Sequence, residues 1–266
     1  MSQPTITFIV KASTDESTVI RSINSIRRQN QNNCNIIAYT NKKALTKNIK
    51  EMYPDIKVIR AKNNVDFCEK FNKNLEKIKT DYCVIINGDE VVSPNASEAL
   101  TSYDDDAVIF NISKKKGLIN FSPVYNQETL EDTASYLKGN QSVWAIAFKP
   151  KLLIKNKIEL LGFSYEDQSL FVLSCISHAK SVAFHNNVIA YKESFKKPET
   201  ISFEFFDEHK DIVLDSLEQF IKFDKSAERK QVIQNYILPC LEDYYNDKSF
   251  ISRQKKKRML RKYMGI

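Results

Sequence analysis

The first third of the chain alternates between short apolar runs and longer segments whose apolar residues recur every three or four positions. The runs are rich in β-branched residues and too short for typical helices, which favours buried strands. They span residues 5–10, 35–39, 56–60 and 82–86. The intervening segments, around residues 19–26, 43–52 and 67–78, have the spacing of amphipathic helices. This alternation predicts an α/β fold with a Rossmann-like sheet, mixed but mostly parallel, flanked by helices.

The pattern is less regular in the middle of the chain and becomes helical towards its end. Strands are predicted at 107–112 and 143–148, loop with some helix at 118–137, a helix at 169–177, and extended chain at 181–184 and 188–191. Beyond Pro198, two apolar stripes at helical spacing follow one another. We therefore expect an α/β domain over residues 1–200 and a helical C-terminal extension with a basic tail over residues 201–266.

One group of polar residues follows the fourth predicted strand, where the chain reads Asn87-Gly88-Asp89-Glu90. In parallel sheets, ligands bind beyond the carboxyl ends of the strands, and Gly88 permits a sharp turn there. A carboxylate such as Asp89 in that place can hold a divalent metal, which in turn grips a diphosphate. The spacing alone is equally consistent with a solvated turn.

A second group, Glu166 and Asp167, stands directly before the helix predicted from Ser169. Adjacent carboxylates near a helix N-terminus commonly act as caps and dipole partners. The alternative is that one of them is a general base for an acceptor hydroxyl. On that interpretation, the neighbouring Phe163 and Tyr165 would line a sugar-binding surface.

The order and spacing of these motifs resemble family 2 glycosyltransferases of the GT-A type, especially bacterial enzymes that build surface polysaccharides. The resemblance runs from Thr5 to about Ser202 and rests on five segments in the right order. These are the opening strand and helix ending in Ser25-x-x-x-Gln29, then residues 64–72, 81–94, 142–153 and 165–191. Two positions depart from the family pattern. Asn87 replaces the first Asp of the Asp-x-Asp motif, and Tyr39-Thr40-Asn41 stands where an Asp usually closes the second strand, so the nucleotide base stays open.

The resemblance implies an inverting transfer of a sugar from a nucleotide diphosphate, expected to be a UDP-sugar, to a hydroxyl of a glycan or cell-surface polymer. Asp167 would take the proton of the acceptor, and Glu166 would orient the acceptor or cap the helix. Asp89 would bind Mn²⁺ or Mg²⁺. The residues implied for the donor pocket are Ala12, Ser13, Asn64, Asp66, Asn87 and Asp89. Trp144 could stack on a sugar and His185 could reach the metal, although core or surface positions are commoner for such residues.

Cysteine usage and hydropathy bear on the compartment. The five cysteines are scattered, contain no CxxC pair and do not cluster with the three histidines. Buried thiols in a reducing cytoplasm are therefore expected rather than disulfides or a zinc site. No apolar run is long enough for a spanning helix, and the N-terminus lacks the pattern of a secretory signal. These features indicate a cytoplasmic protein.

The net charge of +7 is concentrated at the end of the chain. Residues 248–266 contain eight Lys or Arg and no acidic residue, whereas the rest is near neutral. This tail is either a solvated helix or a segment that contacts an anionic partner, namely the inner membrane face or a polyanionic acceptor. Nucleic-acid binding lacks an aromatic platform, and an oligomer through the extension stays open. The alternative functions are a polyanion- or membrane-binding module with a degenerate transferase core, and a sugar nucleotidyltransferase, which usually needs a Gly-rich basic loop that residues 11–15 do not provide.

Overall fold

The computed structural model describes residues 5–12, 15–29, 33–116, 120–123, 145–192 and 202–223, with four exposed helical positions at 254, 257, 258 and 261. Ser13, Trp144, most of segment 118–137, the second apolar stripe and the rest of the basic tail lie outside the described residues. The expectations for those residues stay predictions. No helix in the described ranges is long and apolar enough to cross a membrane.

The described part of the chain forms nine strands and eight helices. The strands are β1 (Ile6–Lys11), β2 (Cys34–Thr40), β3 (Lys57–Arg60), β4 (Tyr82–Asn87), β5 (Val91–Val92), β6 (Ala107–Lys116), β7 (Asn120–Pro123), β8 (Ile146–Phe148) and β9 (Val182–Lys192). The helices are α1 (Glu16–Arg27), α2 (Lys43–Met52), α3 (Asn64–Asn74), α4 (Ala96–Thr101), α5 (Pro150–Asn156), α6 (Tyr165–His178), α7 (Phe203–Glu208) and α8 (Lys210–Phe223).

The strands form a single mixed sheet in the order β3-β2-β1-β4-β8-β6-β9-β5, with β7 paired to β6. Strands β3, β2, β1 and β4 are parallel, as the alternating pattern predicts. Strand β8 is antiparallel to both β4 and β6, whereas β6 and β9 run parallel. A mixed sheet flanked by helices is therefore confirmed, but the parallel part is confined to half of it. A short apolar run does not reveal the direction of its neighbour, because burial on both faces gives the same composition.

The register brings the ends of three strands together at one edge of the sheet. Lys11, the last residue of β1, pairs with Tyr39 of β2 on one side and with Asn87 of β4 on the other. The turn that follows β4 therefore starts beside the end of β1. This edge is where the ligand crevice of such sheets lies.

Two predicted helix starts are corrected by the structure. Helix α6 begins at Tyr165 rather than near Ser169, and α3 begins at Asn64 rather than at Phe67. Both helices have a polar first turn, in which Ser164 and Asn63 provide side-chain caps. Apolar spacing does not detect such turns, since their residues contribute nothing to the buried stripe. As a result, Glu166 and Asp167 lie within the first turn of α6 and not before it.

Helices α7 and α8 pack into the same apolar core as the sheet. Phe206, Val213, Leu217 and Phe220 are buried and belong to that core. Helix α8 contacts α6, and the hydroxyl groups of Ser174 and Ser216 hydrogen-bond at 2.8 Å between them. The domain boundary near residue 200 stays a prediction.

Candidate active site

The turn after β4 is tightly held by hydrogen bonds. The Asn87 N–H donates to Oε2 of the buried Glu90 at 3.0 Å, and the Glu90 N–H donates to the Asn87 carbonyl at 2.9 Å. The Gly88 N–H donates to the Lys11 carbonyl at 2.8 Å. Asp89 is half-buried at the tip of this turn. Its Oδ1 is buried and has no hydrogen-bond donor among the described residues.

The Ser25-x-x-x-Gln29 segment, which begins in α1 and ends just after it, supports the chain that leaves this turn. Gln29 Nε2 donates to the Ser93 carbonyl at 2.7 Å, and Ser25 Oγ accepts from the Val92 N–H at 3.0 Å. Gln29 and Ser25 are themselves buried. Because buried polar groups that pair with backbone fix it in place, these two side chains set the position from which Asp89 projects.

The polar groups at the turn fit a cation that is shared with a bound ligand. An orphaned buried carboxylate oxygen, as on Asp89, is costly unless a cation or donor reaches it. Among the described residues, no group of three His, Cys, Asp or Glu could hold a metal alone. Mg²⁺ is usually bound through one or two carboxylates together with substrate phosphates. The Asp89 carboxylate and the Asn87 amide oxygen therefore suit a metal that arrives with a diphosphate.

His185 packs against Tyr103. Its Nδ1 lies 3.0 Å from Tyr103 Oη, and the two rings meet edge to face. Along β9, His185 is six residues from Tyr191, which pairs with Val91 just after the Asp89 turn. Six residues of extended strand span roughly 20 Å. The contact with Tyr103 agrees with the commoner alternative, a histidine at the edge of the core, and a contact of His185 with the metal stays a prediction.

Asp167 is held by a capping box at the start of α6. The Ser164 N–H donates to Asp167 Oδ2 at 2.9 Å, and the Asp167 N–H donates to Ser164 Oγ at 3.1 Å. The residue is only 7% exposed, and its Oδ1 has no hydrogen-bond donor in the described part of the chain. Capping and catalysis are therefore compatible, because one oxygen is oriented by the backbone while the other is left for a ligand.

Glu166 contributes to a different contact. Its Oε1 accepts a hydrogen bond from the N–H of Ser202, the residue that caps α7. The carboxylate thereby ties the start of α7 to the first turn of α6. The cap of α6 itself is Ser164 with Asp167, so the expectation that Glu166 orients the acceptor or caps this helix stays a prediction.

The loop before the capping box is fitted closely to Asp167. A Cβ atom on Gly162 would lie 2.9 Å from Asp167 Oδ2. Phe163, the next residue, has a positive φ of 67°. The Asn72 side chain of α3 clamps this loop, since Nδ2 donates to the Leu160 carbonyl at 2.8 Å and Oδ1 accepts from the Leu160 N–H at 3.1 Å. The observed position of the Asp167 carboxylate thus requires glycine at residue 162, because a Cβ atom there would come too close to it.

On the hypothesis that Asp167 is the general base, we expect Gly162→Ala to lower kcat by about 10- to 100-fold, because a carboxylate displaced by even a fraction of an ångström loses its reacting geometry. Nucleotide affinity should stay unchanged, since the added methyl group faces Asp167. Steady-state kinetics and calorimetry on the purified variant measure the two quantities. An unaltered kcat would show that Asp167 can shift at no cost.

Lys11 lies between the Asp89 turn and the Asp167 loop. Its Nζ is 4.8 Å from the centre of the Phe163 ring and 5.8 Å from that of Phe67. Burial lowers the pKa of Lys11, and the charges of Cys68 and Asp89 oppose this shift. Burial also raises the pKa of the Cys68 thiol to about 12, with Asp167 adding to the effect and Lys11 opposing it. Asp89 therefore interacts electrostatically with Lys11, and Asp167 with Cys68.

The other predicted donor residues have local roles. The Ala12 N–H continues the strand pairing by donating to the Tyr39 carbonyl at 2.8 Å. Asn64 is exposed at the start of α3. Hydrogen bonds from the Lys70 ammonium and the Lys62 N–H, at 2.8 and 2.7 Å, lower the pKa of Asp66. The Asp66 carboxylate is thus used within its own helix turn.

Two aspects of the site differ from the sequence analysis. Phe163 is only 6% exposed and meets Phe67 edge to face at 5.0 Å, so it belongs to the inner wall and not to an exposed sugar-binding surface. Lys11 and Gly162 were not among the predicted site residues. For Lys11 the signal was present in the sequence, because a single cation ends an otherwise apolar strand.

The sequence matches the family model described as glycosyl transferase family 2 over residues 7–155, which is more than half of the chain. The chain belongs to glycosyltransferase family 2. This confirms the resemblance found in the motifs. No curated protein matches the sequence.

Solved structures show the same GT-A fold in other glycosyltransferases. The 1–349 fragment of S. aureus TarS has a TM-score of 0.66 at 13% identity, covering 95% of this chain and 77% of that one. The same fragment in complex with UDP-GlcNAc gives 0.65 at 12% identity, covering 97% and 80%. The mannosyltransferase PcManGT from Pyrobaculum calidifontis, in complex with GDP-Man and Mn²⁺, gives 0.52 at 12% identity, covering 99% and 82%. At these identities the likeness concerns the fold.

Proposed function

We propose that this protein is an inverting glycosyltransferase that moves a sugar from a UDP-sugar to a hydroxyl of a glycan or cell-surface polymer. Membership of family 2 supports a nucleotide-sugar transferase. The structures of TarS with UDP and UDP-GlcNAc, and of PcManGT with GDP-Man and Mn²⁺, support a nucleotide diphosphate donor. The observation that carries the proposal is the pair of carboxylates, Asp89 and Asp167, with Lys11 between their loops. Each has one oxygen that no hydrogen-bond donor of the described residues reaches.

In the proposed reaction, Asp167 is the general base. The Ser164 N–H holds one carboxylate oxygen, and the other takes the proton of the acceptor hydroxyl. The hydroxyl oxygen then bonds to the anomeric carbon as the bond to the diphosphate breaks on the opposite face, so that configuration inverts. A positioned carboxylate base contributes about 10²- to 10⁴-fold to such a step.

Asp89 would hold the divalent metal, Mn²⁺ or Mg²⁺, together with the amide oxygen of Asn87. When bound, the metal supplies positive charge that stabilises the departing diphosphate. Ser25 accepts a hydrogen bond from the segment after Asp89 and Gln29 donates one to it, and these bonds would keep Asp89 directed at the crevice. Ala12 and Asn64 would complete the donor pocket at the same edge of the sheet. Ser13, which the resemblance also assigns to this pocket, lies outside the described residues.

A cavity of about 450 Å³ lies beside Asp167 and is the proposed acceptor entrance. Its lining includes Asn72, Gly162, Asp167, Phe205 and His209. The size is within the range of small-molecule sites. Helix α7 provides one wall, so the acceptor would contact the described part of the C-terminal extension.

A thermal-shift screen of nucleotide sugars, with and without Mn²⁺, tests the proposed function. A donor present at 100 times its Kd stabilises the native state by about 2.7 kcal/mol. For a chain of this size we expect the Tm to rise by on the order of 5 °C. Free monosaccharides serve as controls and should produce no shift. If no nucleotide sugar changes the Tm under either condition, the proposal is wrong.

A further inference from the structure

Lys11 stands at the point where three strand ends meet. It is the last residue of β1, and its carbonyl accepts the Gly88 N–H that begins the Asp89 turn. Across the strand pair it is opposite Asn87. The side chain therefore originates directly beside the proposed diphosphate site.

The ammonium group of Lys11 has no partner in the described part of the chain. No hydrogen bond or ion pair reaches its Nζ there, although Lys70 and Lys149 both form ion pairs with carboxylates at 2.8 Å. Lys11 is half-buried, and the faces of Phe163 and Phe67 are its near neighbours. An ammonium has three N–H donors, and aromatic faces compensate only part of the lost hydration. A half-buried cation with unused donors is suited to bind an anionic ligand.

The charge balance at the turn points in the same direction. Asn87 is neutral, so the turn presents one carboxylate at its tip, and the Lys11 ammonium is a close electrostatic neighbour of that carboxylate. A nearby positive charge weakens the attraction of Asp89 for a divalent cation. It also adds to the attraction for an anion such as a diphosphate.

We propose that the Lys11 ammonium binds the diphosphate of the donor directly, beside Asp89, as a cation built into the protein. The inference rests on the proposed function and assigns to Lys11 part of the charge that the departing diphosphate needs. It follows that a nucleoside diphosphate binds even without metal. The phosphates, and not the nucleoside, account for that affinity.

Calorimetry with UDP and GDP in the presence of EDTA tests this role, with uridine and guanosine as probes that lack phosphate. In the unaltered protein, one of the diphosphates should bind at least tenfold more tightly than its nucleoside. Lys11→Met keeps the apolar stem on the two rings but removes the charge. This variant should lose at least tenfold in diphosphate affinity and bind the nucleoside as before, whereas Lys11→Arg should retain most of the affinity.

Lys47→Met provides a matched control, because Lys47 is an exposed lysine of α2 and the change in net charge is the same. It should bind like the unaltered protein. Titration of Mn²⁺ alone gives a second measurement, in which Lys11→Met should bind the ion more tightly. If Lys11→Met binds the diphosphate in EDTA as well as the unaltered protein does, the role of Lys11 is refuted and the proposed function stands. If the unaltered protein binds no nucleotide under any condition, both are refuted.

Discussion

Asp167→Asn is expected to lower kcat for sugar transfer by about 10²- to 10⁴-fold, the usual contribution of a positioned base. Asparagine keeps an oxygen that can accept the hydrogen bond of the Ser164 N–H, so the capping box should survive. What is lost is the ability to take a proton. The nucleotide should bind unchanged, since its proposed contacts lie at the Asp89 turn.

The comparison with Ser164→Ala separates the catalytic role from the capping role. That variant removes the hydroxyl that accepts the Asp167 N–H, and the loss of a cap costs about 1 kcal/mol of stability. We expect a lower Tm with kcat within a few-fold of the unaltered protein. Steady-state kinetics and thermal unfolding on both variants provide the measurements. Full activity in Asp167→Asn would remove the base assignment.

Asp89→Ala is expected to weaken donor binding in the presence of Mn²⁺ by about 10- to 100-fold, which corresponds to about 1.4–2.8 kcal/mol. In the proposal Asp89 would hold the metal, and the metal would supply positive charge for the diphosphate. The fold itself should lose little stability, because the buried Oδ1 of Asp89 has no hydrogen-bond donor among the described residues and removing an unsatisfied group is not costly.

Asp81→Asn is the matched control for Asp89→Ala. Asp81 directly precedes β4, at the end of the strand opposite the site, where its Oδ2 accepts hydrogen bonds from the N–H and the hydroxyl of Thr5. This variant should keep its donor affinity. Calorimetry with and without Mn²⁺ compares the two variants. If Asp89→Ala binds the donor as tightly as the unaltered protein, with and without Mn²⁺, Asp89 is not the metal ligand.

Local patterns predicted the elements and the places where polar residues gather. Apolar runs located β1 to β4. The polar residues at the end of β4 and in the turn after it made Asn87 and Asp89 candidates, because strand ends and turns are encoded by neighbouring residues. The antiparallel insertion of β8 was not predictable in this way, since it depends on a pairing of Cys83 with Phe148 across a long stretch of chain.

Gln29 and Asn72 belong to segments that carried the family resemblance, but their contacts could not be predicted, for the same reason. Gln29 and Asn72 act on backbone groups 64 and 88 positions away, and neither partner is marked by its residue type. The constraint on Gly162 exists only because the Asp167 side chain folds back on it. Lys11 was visible as an unusual residue, but its role requires the two aromatic rings, which come from separate helices and loops.

The hydrogen bond between Glu166 and the Ser202 N–H has a practical consequence for shortening this protein. A truncation at residue 200, where the composition of the chain changes, would remove Ser202. Glu166, the neighbour of the proposed base Asp167, would then lose the N–H that donates to its carboxylate. It would also uncover the apolar surface that Phe206, Val213 and Leu217 now protect. A shortened version that lacked activity would therefore be uninformative about substrate choice, and deletions meant to probe the basic tail should begin beyond α8.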